Sequence, residues 1–315
     1  MKTGLAYRLL GVLLLCAALT LATDAFLTVS NLLNVLRQAS LVFLLASGVT
    51  LVVLTAGLDL SIGANVGLSA CVAAAAIKAG AVELGVAAAL ACGLTIGLLN
   101  GLMVTRLHVP PFIATYGMLW VVHGITYWYM AGQTVYDFPE GFRALGSGYL
   151  LGLPVPVYLM GACLALGGVF TRHTTYGHEI YAIGANAEAA RLSGIPVRAR
   201  LNLVYGLSGA MAGLASIVYL ARLNSAEADI GEPLMLPAIA AILVGGTSLF
   251  GGIGSLSGTL VGAILLTLVL NGMNLLAIGA NWQPLVTGVI VVLAVWIDVA
   301  TRRAPAAAGS PVRAE

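Results

Sequence analysis

The stretch ASLVFLLASGVTLVVLTAGLDLSIGANVG, residues 39–67, places a long apolar run before a polar break and a second run of small residues. No charged side chain occurs from Ala39 to Leu58, and a membrane-crossing helix takes about 20 predominantly apolar residues. The break GLDLSIGAN, Gly57 to Asn65, interrupts that pattern with Asp59, Ser61 and Asn65. Irregular backbone survives at membrane depth only where protein or a water-filled cavity satisfies it. Two membrane helices joined through a polar break are therefore expected here.

The rest of the chain extends this pattern. Of 315 residues, 60% are hydrophobic and 8% charged, with a mean hydropathy of +1.02; soluble domains carry about 25% charged residues. Apolar runs predict ten spans, near 9–27, 38–56, 61–78, 84–104, 111–131, 151–170, 203–221, 236–250, 256–270 and 282–299. The expected fold is all-α, a polytopic integral membrane bundle of about ten transmembrane helices. One transmembrane domain would cover residues 1–300, leaving a short cytoplasmic tail at 301–315 expected to be disordered.

Charge placement orients the bundle. With both termini cytoplasmic, ten basic residues fall inside: Lys2, Arg8, Arg106, Arg172, Arg191, Arg198, Arg200, Arg302, Arg303 and Arg313. Four, Arg37, Lys78, Arg143 and Arg222, fall outside, together with seven of the twelve carboxylates, Asp229 and Glu232 among them. This is the positive-inside bias. The N-terminus also has the form of a signal peptide, Lys2 and Arg8 preceding Leu9 to Leu21; cleavage near Ala25 would leave nine spans and set the termini against the charge count. Tyr127, Trp128, Tyr129 and Trp282 lie where an outer aromatic belt is expected, and Trp296 would mark the inner face.

The same composition excludes several functions. A net charge of +2 offers no field for nucleic acid. The two lysines, Lys2 and Lys78, do not belong to a GxxxxGK[ST] phosphate loop, so ATP and magnesium, if used, would be bound by another chain, and no cofactor or metal is expected here. Cys16, Cys71, Cys92 and Cys163 lack CxxC spacing and read as buried thiols. No HExxH or paired-acid cluster suggests an enzyme.

A second break, GGTSLFGGIGSLSG from Gly245 to Gly258, has five glycines within ten residues, too many for a helix interior at roughly 1 kcal/mol each relative to Ala. Its layout of apolar run, break and small-residue helix resembles residues 39–67, and paired interruptions flank the path in many transporters. Asp59, Ser61, Asn65, Asn100, Asn271 and Asn274 are the candidates for a translocation path or gate; for Asp59 and Ser61 a capped turn is the competing reading. His123 reads as a lone neutral histidine bonded to a backbone carbonyl. Gly93 with Gly97, and Gly209 with Gly213, form GxxxG pairs that serve helix packing.

The longest hydrophilic interior segment is 171–202. Asn186 is placed to cap a short helix over 187–192, with Glu188 in its first turn and Arg191 in its last. Gly194 would end it in a left-handed turn, and Pro196 prevents its continuation. Too polar to span and too short to stand alone, this helix calls for a packing partner.

EAARLSG, Glu188 to Gly194, is similar to the EAA-x3-G loop of ATP-binding cassette importer permeases. GLDLSIG, NGLMVTRLHVPPFIATYG, YAIGANAEAARLSGI and AIAAILVGGTSLFGGIGSLSGTLVGA look like the ribose-type, simple-sugar branch of the branched-chain amino acid and sugar permease superfamily, over about residues 31–299. The longer importer pattern continues to I-x-LP, whereas this chain reads GIPVRARLNLVYG. The resemblance implies a type II importer-like permease of a bacterial inner membrane. It further implies a second permease subunit, identical or not, a periplasmic sugar-binding protein and a cytoplasmic ATPase. Glu188, Ala189, Ala190, Arg191, Gly194 and Pro196 would then couple to the ATPase. Branched-chain amino acids, nucleosides and ion-coupled secondary transport stand as alternatives.

Overall fold

The computed structural model describes residues 2–306. Its helices are α1 (Lys2–Ala22), α2 (Val29–Leu54), α3 (Ile62–Lys78), α4 (Val82–Thr105), α5 (Pro111–Met130), α6 (Glu140–Ser147) and α7 (Val155–His173). They continue with α8 (Thr175–Ala185), α9 (Ala187–Leu192), α10 (Val197–Leu223), α11 (Glu232–Val244), α12 (Leu256–Leu275) and α13 (Gln283–Ala306). Two tiny antiparallel ribbons complete it: β1 (Val135–Tyr136) with β4 (Ser225–Ala226), and β2 (Tyr149–Leu150) with β3 (Leu153–Pro154).

Every expected span has a helical counterpart, but among the described residues six helices, not ten, are long and apolar enough to cross a membrane: α2, α4, α7, α10, α12 and a stretch from Ala280 that includes most of α13. The eighth, expected at 236–250, ends at Val244 after 13 residues. Helix α13 runs past residue 301; the rest of the expected tail, residues 307–315, lies outside the described residues.

Helix α2 is the hub. Its apolar stretch is mostly buried, whereas that of the last span is almost wholly exposed, because α7, α10, α11 and α12 all pack around it. Apolar side chains on every face suit such a position. Phe43, Leu44, Leu45, Ala46 and Val49 are fully buried there. The Thr50 and Thr259 hydroxyls meet at 2.8 Å and tie α2 to α12.

Helices α4 and α10 share the most extensive contact, and the two GxxxG motifs are the reason. A Cβ on Gly97 would lie 3.0 Å from the Gly209 Cα, and one on Gly93 would lie 2.8 Å from the Gly213 nitrogen. Small residues let backbones approach this closely in a membrane. Gly209→Val is expected to force the helices apart and cost about 2–3 kcal/mol, read as a lower melting point in detergent than that of Gly168→Val on α7, where nothing lies within 4 Å.

Candidate functional site

The break after α2 is built from polar side chains that hydrogen-bond one another, with the buried Asn100 amide oxygen left over. The Asp59 carboxyl accepts from the Ser61 amide at 3.1 Å, the Ser61 hydroxyl at 2.7 Å and the Ser208 hydroxyl of α10 at 2.9 Å. Asn100 of α4 donates to the Ser61 hydroxyl at 2.7 Å. Asn65 donates to the Gly93 carbonyl at 3.2 Å and accepts from Ser69. The Leu58 carbonyl accepts from Thr115 of α5 and Tyr205 of α10. Asp59, Ser61, Asn65 and Asn100 are all essentially inaccessible.

Four of the six residues expected at a path or gate therefore come together, inside the protomer. Ser61 does not cap α3: it makes no side-chain cap bond, and its hydroxyl turns to Asp59 instead. Asn271 and Asn274 lie elsewhere. Asn271 exchanges amide hydrogen bonds with Asn31 at 2.8 and 3.1 Å, and Asn31 sits about 35 Å along α2 from the break, by helical rise. The exposed Asn274 accepts from Gln283 at 2.8 Å.

The two breaks touch. The Gly252 amide donates to the Leu54 carbonyl, the last of α2, at 2.9 Å. Gly251 faces Ala56, and a Cβ on Gly184, at the end of α8, would run into both the Leu54 oxygen and the Gly252 nitrogen. Tyr181 of α8 donates to the Gly254 carbonyl at 2.9 Å. The segment 171–202 is thus anchored where both interruptions meet.

That segment holds two helices where one was expected. Thr174 caps α8 through the Gly177 amide at 3.1 Å, and Ile180 and Ile183 bury its inner face. Asn186 caps α9 by accepting from Glu188 and Ala189; Gly194 follows at φ +85°, and Pro196 precedes α10. Arg191 grips Glu188 with two bonds, at 2.6 and 2.9 Å, and this pairing holds the Glu188 carboxyl below the usual carboxylate range. Ala190 is buried beneath, while Glu188, Ala189, Arg191 and Gly194 face outward. Arg200 bonds Glu179 and lies 4.2 Å from the Tyr176 ring, clamping α10 to α8. An exposed, capped helix on a rigid mount is suited to enter a groove on another protein.

His123 departs from its reading. Its Nε2 lies 3.5 Å from a carboxylate oxygen of Asp229, and Tyr127 donates to the other oxygen at 2.5 Å.

Residues 31–295 match the family described as branched-chain amino acid transport system / permease component. The chain belongs to this permease family. The chain is 42% identical over 295 residues to the ribose import permease protein RbsC of Escherichia coli (strain K12), covering 92% of each chain. It is 39% identical to RbsC of Bacillus subtilis (strain 168), covering 92% of this chain and 91% of the relative. The galactose/methyl galactoside import permease protein MglC of E. coli (strain K12) is 34% identical, with 95% and 94% covered. No solved structure matches. Family and hydrophobic helices together make this a multi-pass membrane permease, not itself an ATPase.

Proposed function

We propose that the chain is the permease subunit of an ATP-binding cassette importer for a monosaccharide, with ribose the first solute to test. The observation that carries this is end-to-end similarity, at 30% identity or above, to permeases named for ribose, galactose and xylose. In this reading α1, α3, α5 and α11 join the six long helices to make ten membrane-embedded elements. Both termini are then cytoplasmic, as the ten basic residues on that side favour. A cytoplasmic ATPase binds ATP and magnesium, a periplasmic binding protein delivers sugar, and a second permease copy completes the pore.

Coupling runs through Glu188 to Pro196. Closure of the ATPase displaces α9, and α8 carries that displacement to the two breaks, shifting the balance between outward and inward access. Glu188→Lys puts like charge beside Arg191, and Gly194→Pro removes a left-handed turn that proline cannot adopt. Both variants are expected to insert normally yet lose ATPase co-purification and at least about tenfold of ATP-driven uptake, since each alters the outward face of α9 that would enter the ATPase groove. Wild-type co-purification and transport in both would remove the coupling role. Uptake by the purified chain without any ATPase would overturn the importer reading itself.

A further inference from the structure

The segment joining α10 to α11 does not stay at the end of the bundle. After β4 it turns inward along α3: Cys71 donates its thiol to the Glu227 carbonyl at 3.5 Å, and the Ala228 and Gly231 carbonyls lie 3.0 Å from where Cβ atoms on Gly67 and Gly63 would stand. The far end of α3 is a surface, marked by the exposed pair Lys78 and Asp137 at 3.5 Å. Gly67 is about 16 Å along the helix from Lys78, close to half the roughly 30 Å hydrocarbon thickness. Asp229, between those two contacts, therefore lies near the membrane midplane, and exposed Glu232 follows at the start of the short α11.

A carboxylate at this depth is costly unless it faces water or a partner. The Asp229 side chain is 49% exposed, and no lysine or arginine among the described residues pairs with Asp229 or Glu232. Beside them runs one face of α5. Phe112 stacks on Tyr116 with ring centroids 5.8 Å apart; Tyr116, Trp120, His123 and Tyr127 then follow edge to face at 6.4, 5.9 and 4.8 Å. Trp120 is 58% exposed. Helix α5 packs mainly on α3 and α4, which leaves this ladder uncovered.

We infer that Tyr116, Trp120, His123 and Tyr127, with Asp229 and Glu232, form a sugar-contacting strip along the aqueous path. This deepens the sugar-permease reading and rests on it. Aromatic rings offer the C–H faces of a sugar flat platforms, and the carboxylates and imidazole exchange hydrogen bonds with its hydroxyls, without a deep pocket that would hold the solute. The buried Asp59 network is structural support for the strip, since Thr115 of α5 bonds the Leu58 carbonyl beside it.

The test uses the full importer, permease with its ATPase and binding protein, in proteoliposomes. Trp120→Cys and Asp229→Cys are expected to react with a membrane-impermeant methanethiosulfonate, and the transported sugar is expected to slow that reaction. Leu166→Cys, on the bare face of α7, should stay unreacted; the four native cysteines, none of them exposed, give the blank. Trp120→Ala and Asp229→Ala should each lower uptake about tenfold or more while the ATPase still co-purifies, with Trp120→Phe recovering part of it. Absence of modification at both cysteines, or uptake within about twofold of wild type in both alanine variants, overturns the strip. So does a disulfide between two copies through Trp120→Cys without modification, which would make the ladder a subunit contact. Failure of the wild-type importer to take up D-ribose, D-galactose or D-xylose would instead defeat the sugar reading, and the modification pattern would still decide whether the strip is aqueous.

Discussion

Asp59→Ala is expected to give a protein that melts far below wild type and transports nothing. The substitution removes the acceptor shared by the Ser61 amide, the Ser61 hydroxyl and the Ser208 hydroxyl. All three donors lie in a site that water does not reach, and each orphaned donor costs about 1–3 kcal/mol. Allowing one hydroxyl to find another acceptor, the loss is about 3–5 kcal/mol, a large part of the 5–15 kcal/mol that typically separates folded from unfolded protein. Asp59→Asn keeps one oxygen in place, and Ser208 can rotate to accept from the new amide, so this variant should lose about 1 kcal/mol. A detergent melting series on wild type, Asp59→Asn and Asp59→Ala measures the order directly. Equal melting points for Ala and wild type would mean that the network does not hold the break.

Gly184→Ala is the second large effect. One added methyl group would occupy the space of the Leu54 carbonyl oxygen and the Gly252 nitrogen, and neither backbone can yield without moving its break. Overpacking of this kind costs up to about 3 kcal/mol, equivalent to roughly a hundredfold loss of the working arrangement. ATP-driven uptake should fall accordingly, while ATPase docking persists because the outward face of α9 is untouched. Gly161→Ala, where nothing lies within 4 Å, is the matched control. Normal uptake by Gly184→Ala would show that the contact transmits nothing.

The helices were legible in the sequence because hydrocarbon demands length and apolarity, and residues 39–67 display both. The cap at Asn186, the left-handed turn at Gly194 and the close packing of Gly93, Gly97, Gly209 and Gly213 were also readable, since each rests on one residue's local chemistry. Asp229 and Glu232 were not. Counting charges by loop assigns them to the outer surface; the contacts of Gly63, Gly67 and Cys71 with the segment carrying Asp229 reveal that this loop descends beside α3. The ladder of Tyr116, Trp120, His123 and Tyr127 went unread as well: only Tyr127 was assigned to an interfacial belt, and the carboxylate beside it comes from a loop distant in sequence. The network around Asp59 was legible only in part. Its polarity was visible in the sequence, but Ser208, distant in sequence, is the partner that completes it.

The Leu54–Gly252 hydrogen bond bears on how such subunits can be recombined. Each interruption supplies the group that the other's backbone lacks, although 198 positions separate the two residues in the chain. A chimera that exchanges one interruption for that of a relative inherits only half of this fit, and exchanging both restores it. The two glycine-rich segments, together with Gly184 wedged against them, thus form a single heritable module, and hybrids between permeases should tolerate crossovers outside it far better than between its parts.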